Sequence, residues 1–440
     1  MAGELLFFSA DDVRAVLIYD DLIPAMETAL ARFSDREKGG VVQPVRSTTR
    51  VNKYNGVFLV MPAYSEKDNA LATKVVSFYP ENKAVPTHHA LIVLLEPTTG
   101  VPKAVMDGEI ITAMRTAAAS AAVTKGDVSC LQHWSLSFQP RSLKKLSNPY
   151  LAPPYPDPSY IGNWCSGPLL TTIGLGVQGC SLILTTAGMA VQRLPFYPAT
   201  AKLGVQGNCL ILTTGWVFGA PSQILTAVGL GVQGFIQILI AMGLGVQDLL
   251  STVGALCKPS PHILAIVGAG VQGHSHYHSL SSIYNFTEVR IASRTLESAE
   301  KLVTQVPNGR VCDSVEEAVK GADIIVMATS AMKPLLKADW VKAGTHINAV
   351  GACKADWQEL DPDLVRSSVL VVDSREAAMV ESGDVILSKA EIFAEAGELF
   401  QGWKKPQTDQ TTIFKSLGIG VEDTVAAKLV YDKILQQRPK

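Results

Sequence analysis

Cysteine is scarce and scattered. The 440 residues hold seven, with no CxxC pair and no zinc-ligand spacing. That excludes a disulfide scaffold and a structural metal site, and it points to thiols kept reduced in the cytoplasm. An excess of one charge is also missing. Lys and Arg total 38 against 40 Asp and Glu, so there is no electrostatic ground for nucleic acid or an acidic membrane surface as partner. Outside residues 126–255 no uncharged apolar run reaches the length of about 18 that a membrane span needs. The start, MAGELLFFSADDVRAVL, meets acidic residues too early for the apolar centre of a signal peptide.

Charge is nearly absent from one stretch. Residues 126–255 carry only Asp127, Arg141, Lys144, Lys145, Asp157, Arg193, Lys202 and Asp248. The same stretch repeats itself. GLGVQG stands at 174–179 and 229–234, GLGVQD at 243–248, and the variants GMAVQR at 188–193 and KLGVQG at 202–207, while ILTT recurs at 183–186 and 211–214. The step between most copies is 14 residues, below the roughly 20–50 of solenoid units. No helix or strand period with a polar face accompanies it. We read 126–255 as a low-complexity insertion without a stable fold. Two copies match GxGxxG, but such a short step leaves no room for the strand and helix that make the pattern a nucleotide site.

One further copy has that context. In HILAIVGAGVQGHSHYHSLSSIY, the apolar run Ile263 to Val267 suits a buried parallel strand. Gly268, Gly270 and Gly273 follow, with Ala269, Val271 and Gln272 between them. Their missing side chains allow a tight turn, close approach of a pyrophosphate and contact between helix and strand. The next segment then starts a helix whose N–H groups face the phosphates. Strands are expected at 288–292, 321–330, 346–352 and 368–374, with helical patterns between. The alternation argues an α/β fold with a Rossmann-type doubly wound parallel sheet. An NAD site places an acid about 20 residues beyond the glycines. Here Ser293, Arg294 and Thr295 occupy that place. A guanidinium and two hydroxyls suit a 2′-phosphate, so the expected cofactor is NADPH.

Without the insertion, the chain resembles the ornithine cyclodeaminase/mu-crystallin family along almost its whole length. The likeness rests on ETALARFS, GGVVQPVR, VMPAYS, ATKVVSFYPE, AVMDGEIITAMRTAAASAAVTK, VGAGVQGHSHY, HINAVGA, VDSREAAMVESGDV and FKSLGIGVEDTVAAKLVYD. The resemblance implies a second, α+β domain for substrate binding and dimerisation. It would be built from 1–125 and 386–440, with the NADP-binding domain at 256–385. It also implies a homodimer that reduces cyclic ketimines with NADPH, and thyroid-hormone binding as a further property of the pocket.

The resemblance also carries roles onto residues. Arg46 would clamp the substrate carboxylate, Lys74 would donate or position the imine proton, and Arg115 would lie near cofactor and carboxylate. Thr87, His88, Thr329, Ser330, Val350 and Ser416 would contact the cofactor, and Glu381 and Cys353 would line the substrate pocket. Two departures concern acids. Cyclodeaminases carry an Asp after NAVG, where this chain has Cys353, and a Glu where it has Leu59. Without those proton acceptors, reduction of a preformed imine is favoured over deamination of a diamine. A non-catalytic hormone-binding or crystallin-type bulk protein remains the alternative.

Overall fold

The computed structural model describes residues 5–125, 256–257, 260–406 and 409–437, and the backbone of four strands between 169 and 215. Contacts divide the chain into two units, one of residues 1–133 with 244–440 and one of 134–243.

In the first unit, the amino-terminal part forms a seven-stranded sheet. Its strands are β1 (Leu6–Phe8), β2 (Val41–Val42), β3 (Ser47–Val51), β4 (Gly56–Ser65), β5 (Ala70–Phe78), β6 (His88–Leu95) and β7 (Pro102–Asp107), in the order β1-β7-β6-β5-β4-β2 with β3 also on β4. Only β1 on β7 is parallel. Helices α1 (Ala10–Val16), α2 (Tyr19–Ser34) and α3 (Gly108–Lys125) belong to the same part. Side chains alternate along the strands. Met61 and Ala63 of β4, Ile92 and Leu94 of β6, and Ala104 and Met106 of β7 are buried. α2 adds Leu22, Ile23, Met26 and Leu30 to this core, each worth about 2 kcal/mol of apolar burial. On β5 the inward series is Ala70, Ala72, Lys74, so the pleat itself carries a cation into the interior.

The second part is an eight-stranded sheet, parallel throughout. Along the chain it contains β12 (Ile263–Val267), α4 (Val271–Ser281), β13 (Glu288–Ala292), α5 (Leu296–Val303), β14 (Gly309–Val311), α6 (Val315–Val319), β15 (Ile324–Met327), β16 (His346–Ala349), α7 (Pro362–Ser367), β17 (Val369–Val372), α8 (Arg375–Glu381), α9 (Gly383–Ser388), β18 (Ala394–Glu395), α10 (Ala396–Phe400) and β19 (Thr412–Lys415). The order is β14-β13-β12-β15-β16-β19-β17-β18. The chain winds outward from β12 on one side, then returns to place β15 on the other. The crossover therefore lies between β12 and β15, where open α/β sheets bind ligands. Strands β15 and β16 are buried at every position, as expected for a sheet covered on both faces. The chain closes with α11 (Gly420–Gln437), which packs on β4, β5, α2 and α3.

The expected division at 386 is corrected here. β18 and β19 lie beyond it, yet both are strands of the parallel sheet, β19 pairing with β16 and β17. The return to the first domain is α11. Its partner α3 is shared. His276 of α4 reaches Ser120 Oγ at 2.9 Å, and Ser279 Oγ donates to the Ala117 carbonyl at 3.0 Å.

The second unit holds β8 (Leu169–Val177), β9 (Cys180–Gly188), β10 (Ala201–Gln206) and β11 (Cys209–Gly215), in the order β10-β11-β9-β8. Strands thus stand in the segment read as lacking a stable fold. The two ILTT copies pair in parallel and in register, Ile183 opposite Ile211 and Thr186 opposite Thr214, as identical strands rich in β-branched residues can. The described residues of the copies at 174–179 and 202–207 lie in β8 and β10, and the next described element after each is another strand, β9 or β11, so they lack the strand–turn–helix context. The copies at 229–234 and 243–248 lie outside the described residues. Among the described residues no helix is long and apolar enough to cross a membrane.

Candidate functional site

The glycine turn meets the demands of a dinucleotide site one position at a time. Gly268 has φ +105°, and a Cβ on it would lie 2.3 Å from the Ala328 carbonyl oxygen. Its N–H donates to the Ala292 carbonyl at 2.9 Å, which holds the turn against the end of β13. A Cβ on Gly273 would stand 2.2 Å from the Gly268 carbonyl oxygen, so the helix can sit on the turn only through glycine. Around Gly270 there is open space, with nothing within 4 Å of a Cβ. Gly270 is also the N-cap of α4, and no side chain caps it. The first N–H groups of that helix are left for a ligand. Ala269 is buried and Val271 exposed. These features fit a pyrophosphate.

Beyond β13, Ser293 is half-buried and Arg294 and Thr295 are exposed. Arg290 and Arg310 on the same sheet are engaged by Glu288 and Glu317. Among the described residues Arg294 makes no ion pair, which suits a group that waits for a phosphate. Thr329 follows β15, and its N–H and hydroxyl both donate to Glu359 Oε1 at 2.7 Å. Ser330 beside it is exposed. Val350 follows β16 and donates to the Met327 carbonyl at 2.8 Å. Ser416 follows β19, with a buried hydroxyl that has no hydrogen-bond partner. Thr329, Ser330, Val350 and Ser416 thus stand at the carboxyl edge of the sheet, where the fold gathers ligands.

Facing this edge is a cluster of buried charge. Lys74 from β5 is 2 % exposed and meets Asp423 Oδ2 at 2.7 Å. Arg115 from α3 binds Asp423 Oδ1 through Nε at 2.8 Å and Glu422 Oε2 through a terminal nitrogen at 2.5 Å. Arg46, from the loop after β2, donates to Glu381 Oε1 at 2.8 Å and to the Leu417 carbonyl at 3.2 Å. The loop of Leu417 and Gly418 lies among them. Both its N–H groups donate to Asp373 Oδ2, at 2.6 and 2.7 Å, and a Cβ on Gly418 would meet the Arg115 guanidinium at 2.2 Å. A pocket opens there, lined by Gln43, Arg46, Met61, Glu381, Gly418 and Gly420 among others.

Burial sets the proton affinities. It lowers Lys74 to about 8, helped by Arg115 and opposed by Asp423. Burial raises Glu422 to about 7 against the pull of Arg115, and raises Asp373 against three backbone N–H donors. Burial would lower Arg115, but Asp423 and Glu422 more than offset it, so the guanidinium stays charged. The site therefore holds an amine and a carboxyl that can exchange protons near neutral pH.

The fold thus brings Arg46, Lys74, Arg115 and Glu381 together. Sequence reasoning named those four and missed Asp373, Glu422 and Asp423. The signal for two of them was present. VED is an acidic pair opening an apolar helix, and anions favour helix N-termini. Thr87 directly precedes β6 and His88 opens it. His88 stacks on Phe78 with centroids 4.4 Å apart, and Lys354 lies over Phe78 and Trp357 at 4.9 and 4.4 Å. Burial first, then His89 and Lys354, lower the His88 pKa. Cys353, after β16, is exposed. No metal-binding group of His, Cys, Asp or Glu occurs among the described residues.

A parallel sheet with an uncapped glycine turn at its crossover, faced by a second domain that supplies buried cations, defines a two-domain dinucleotide-dependent oxidoreductase of Rossmann type. Comparison with known proteins narrows the class. The family model of the ornithine cyclodeaminase/mu-crystallin family matches residues 4–126 and 251–438, and the chain belongs to that family. It is 38 % identical over 430 residues to the ketimine reductase mu-crystallin of Rattus norvegicus, covering 97 % of this chain and 96 % of that one. Among solved structures it is similar to the Delta(1)-pyrroline-2-carboxylate reductase of Thermococcus litoralis in complex with NADH and L-proline. There the TM-score is 0.66, the identity 27 %, and 98 % of each chain is covered. An archaeal alanine dehydrogenase dimer with bound NAD shares the fold, at TM-score 0.65 and 21 % identity over 98 % of this chain and 97 % of that one. The family match passes over 127–250, which lies within the low-complexity insertion.

Proposed function

We propose that this chain reduces the C=N bond of cyclic ketimine carboxylates, with NADPH as the preferred reductant. The observation that carries the reading is the buried Lys74, lowered to about 8 and set beside Arg115 and Arg46. A cyclic imino acid needs a cationic fork for its carboxylate, a proton at nitrogen and a hydride at carbon. When bound in the crevice, the reduced nicotinamide supplies the hydride. Arg46 and Arg115 offer the forks, since guanidinium pairs with carboxylate in two parallel hydrogen bonds. Lys74 gives its proton to the imine nitrogen, and Asp423 holds the ammonium in place for that transfer. Leu59 and Cys353 leave this machinery without the acids that a diamine cyclisation uses. The reading agrees with the named activity of the rat relative and with the NADH and L-proline bound to the Thermococcus litoralis reductase.

Support for NADPH over NADH comes from Arg294 beyond β13, which is exposed and makes no ion pair among the described residues. A homodimer is supported by an exposed apolar face of the first sheet. Phe7 is 73 % and Leu91 45 % exposed, and Phe7 pairs in register with Val105, itself opposite Val93. This apolar face suits a second copy of the chain. The Arg46–Glu381 pair also matches the carboxylate and ammonium of a free amino acid, which supports thyroid hormone as a second ligand of the pocket.

The test is NADPH oxidation, followed at 340 nm, with Delta(1)-piperideine-2-carboxylate as substrate. Turnover is expected. A folded protein that binds NADPH and oxidises none with any cyclic ketimine would leave only the binding-protein reading.

A further inference from the structure

Three strands ending at the crevice are tied together by a second set of buried ions, separate from the Lys74 cluster. β15 leads into Thr329, β16 leads into Gly351, and β19 ends on Lys415. Glu359 accepts both Thr329 bonds on one oxygen at 2.7 Å. The Glu359 and Leu360 N–H groups donate to Asp384 Oδ1 at 2.8 and 3.1 Å. The other Asp384 oxygen meets Lys415 Nζ at 3.2 Å, and the same ammonium donates to the Gly351 carbonyl. Glu359 and Lys415 are 0 % exposed and Asp384 1 %. The packing is closed. A Cβ on Gly351 would stand 2.1 Å from the Thr329 carbonyl oxygen and 2.4 Å from the Glu359 carboxylate.

A buried ion set is a poor way to add stability, because desolvation cancels much of the attraction and apolar side chains often do as well. Ions can, however, direct hydrogen bonds at chosen backbone atoms. Here they hold the two loops beside β12 and its glycine turn. A dinucleotide seated on that turn extends across the crossover toward the ends of β15 and β16. We propose that Glu359, Asp384 and Lys415 form a buried positioning relay that fixes the loops after β15 and β16 against the nicotinamide half of the cofactor. On this view the alignment of the cofactor depends on residues that touch neither substrate nor cofactor. The inference rests on the dinucleotide reading above. Glu359 Oε2 has no hydrogen-bond partner, and burial raises the carboxyl to about 7 against the pull of Lys415.

The experiment measures the NADPH dissociation constant by fluorescence titration, together with kcat and both KM values, for the whole chain and three variants. Glu359→Ala and Thr329→Val are expected to weaken NADPH binding and lower kcat by roughly tenfold, the scale of a lost hydrogen bond to a charged group. The ketimine KM should stay within about twofold. Glu359→Gln, which keeps the shape and an acceptor oxygen, should restore most of the binding. A merely structural role would lower the melting temperature and leave the dissociation constant unchanged, and that result in Glu359→Ala and Thr329→Val overturns the proposal. Should Glu359→Ala not fold, a fourth variant, Asp384→Asn, decides, since Asp384 is buried within the relay and touches neither substrate nor cofactor; weaker NADPH binding there supports the relay, and an unchanged dissociation constant overturns it. If the unmodified chain binds no dinucleotide, the reading beneath the relay falls, and the relay with it. If the unmodified chain binds NADPH and the variants match it, only the relay falls.

Discussion

Asp423 Oδ2 stands 2.7 Å from Lys74 Nζ, with the two side chains 1 % and 2 % exposed. The pair joins the first turn of α11 to the middle of β5. Its effect is on protonation. Burial and Arg115 pull Lys74 down to about 8, and Asp423 resists them. As the proton donor, Lys74 must be charged, so ketimine reduction should decline as pH rises through about 8. Asp423→Asn removes the resisting charge, and the alkaline limb of kcat/KM should move to lower pH. Lys74→Met should lower kcat by about a hundredfold or more. An alkaline limb at the same pH in Asp423→Asn would mean that another group supplies the proton.

Glu422 affects stability in the opposite sense to an ordinary surface acid. Its pKa is raised from 4.5 to about 7 in the fold. A raised pKa contributes stability that is full below the unfolded value and is lost as pH climbs through the folded one. Glu422→Gln removes that loss. The melting temperature of the variant relative to the unmodified chain should therefore rise between pH 5 and 8. A flat difference across that window argues against a buried, protonatable Glu422.

Arg294 bears on the choice of nucleotide. Arg294→Ala should weaken NADPH binding by about tenfold or more, the value of a lost guanidinium–phosphate pair, and leave NADH binding nearly unchanged. Equal weakening of both would show that Arg294 does not read the 2′-phosphate.

The glycines divide by role. Gly268→Ala places a Cβ 2.3 Å from a backbone oxygen at φ +105°, and the protein should fold poorly. Gly270→Ala meets nothing within 4 Å, so it should melt near the normal temperature while losing dinucleotide affinity. Circular dichroism and NADPH titration separate the two. Normal NADPH binding by Gly270→Ala would place the pyrophosphate elsewhere.

Replacement of 126–255 by a short linker should raise soluble yield and leave kcat per folded site unchanged, because a long loop adds only about 0.6 kcal/mol of closure entropy per doubling. Lower activity in the shortened chain would give the insertion a role in the fold.

Much of this architecture was legible locally. The run 263–267, its three glycines and the helix after them are one contiguous unit, and its strand appears where the apolar pattern puts it. The strand expected at 288–292 is β13. Short buried strands between helical patterns mark a parallel sheet wherever they occur. The shortfall came where partners are distant. Nothing near Thr412–Lys415 announces that it enters the sheet between β16 and β17, since strand order is a matter of packing. Nor does the pleat of β5 alone reveal which carboxylate awaits Lys74.

The sequence by itself determined the glycine turn and the lack of an acid beyond β13, because each is a matter of residue type at short spacing, while the cations Arg46, Lys74 and Arg115 were reached through the family resemblance of the motifs around them. Tertiary structure alone decided that Asp423, Glu422 and Glu381 pair with those cations and that Glu359, Asp384 and Lys415 bind three strand ends together. The physical reason is that charge strength and proton affinity depend on burial and on neighbours in space, and chain folding brings those neighbours in from remote positions.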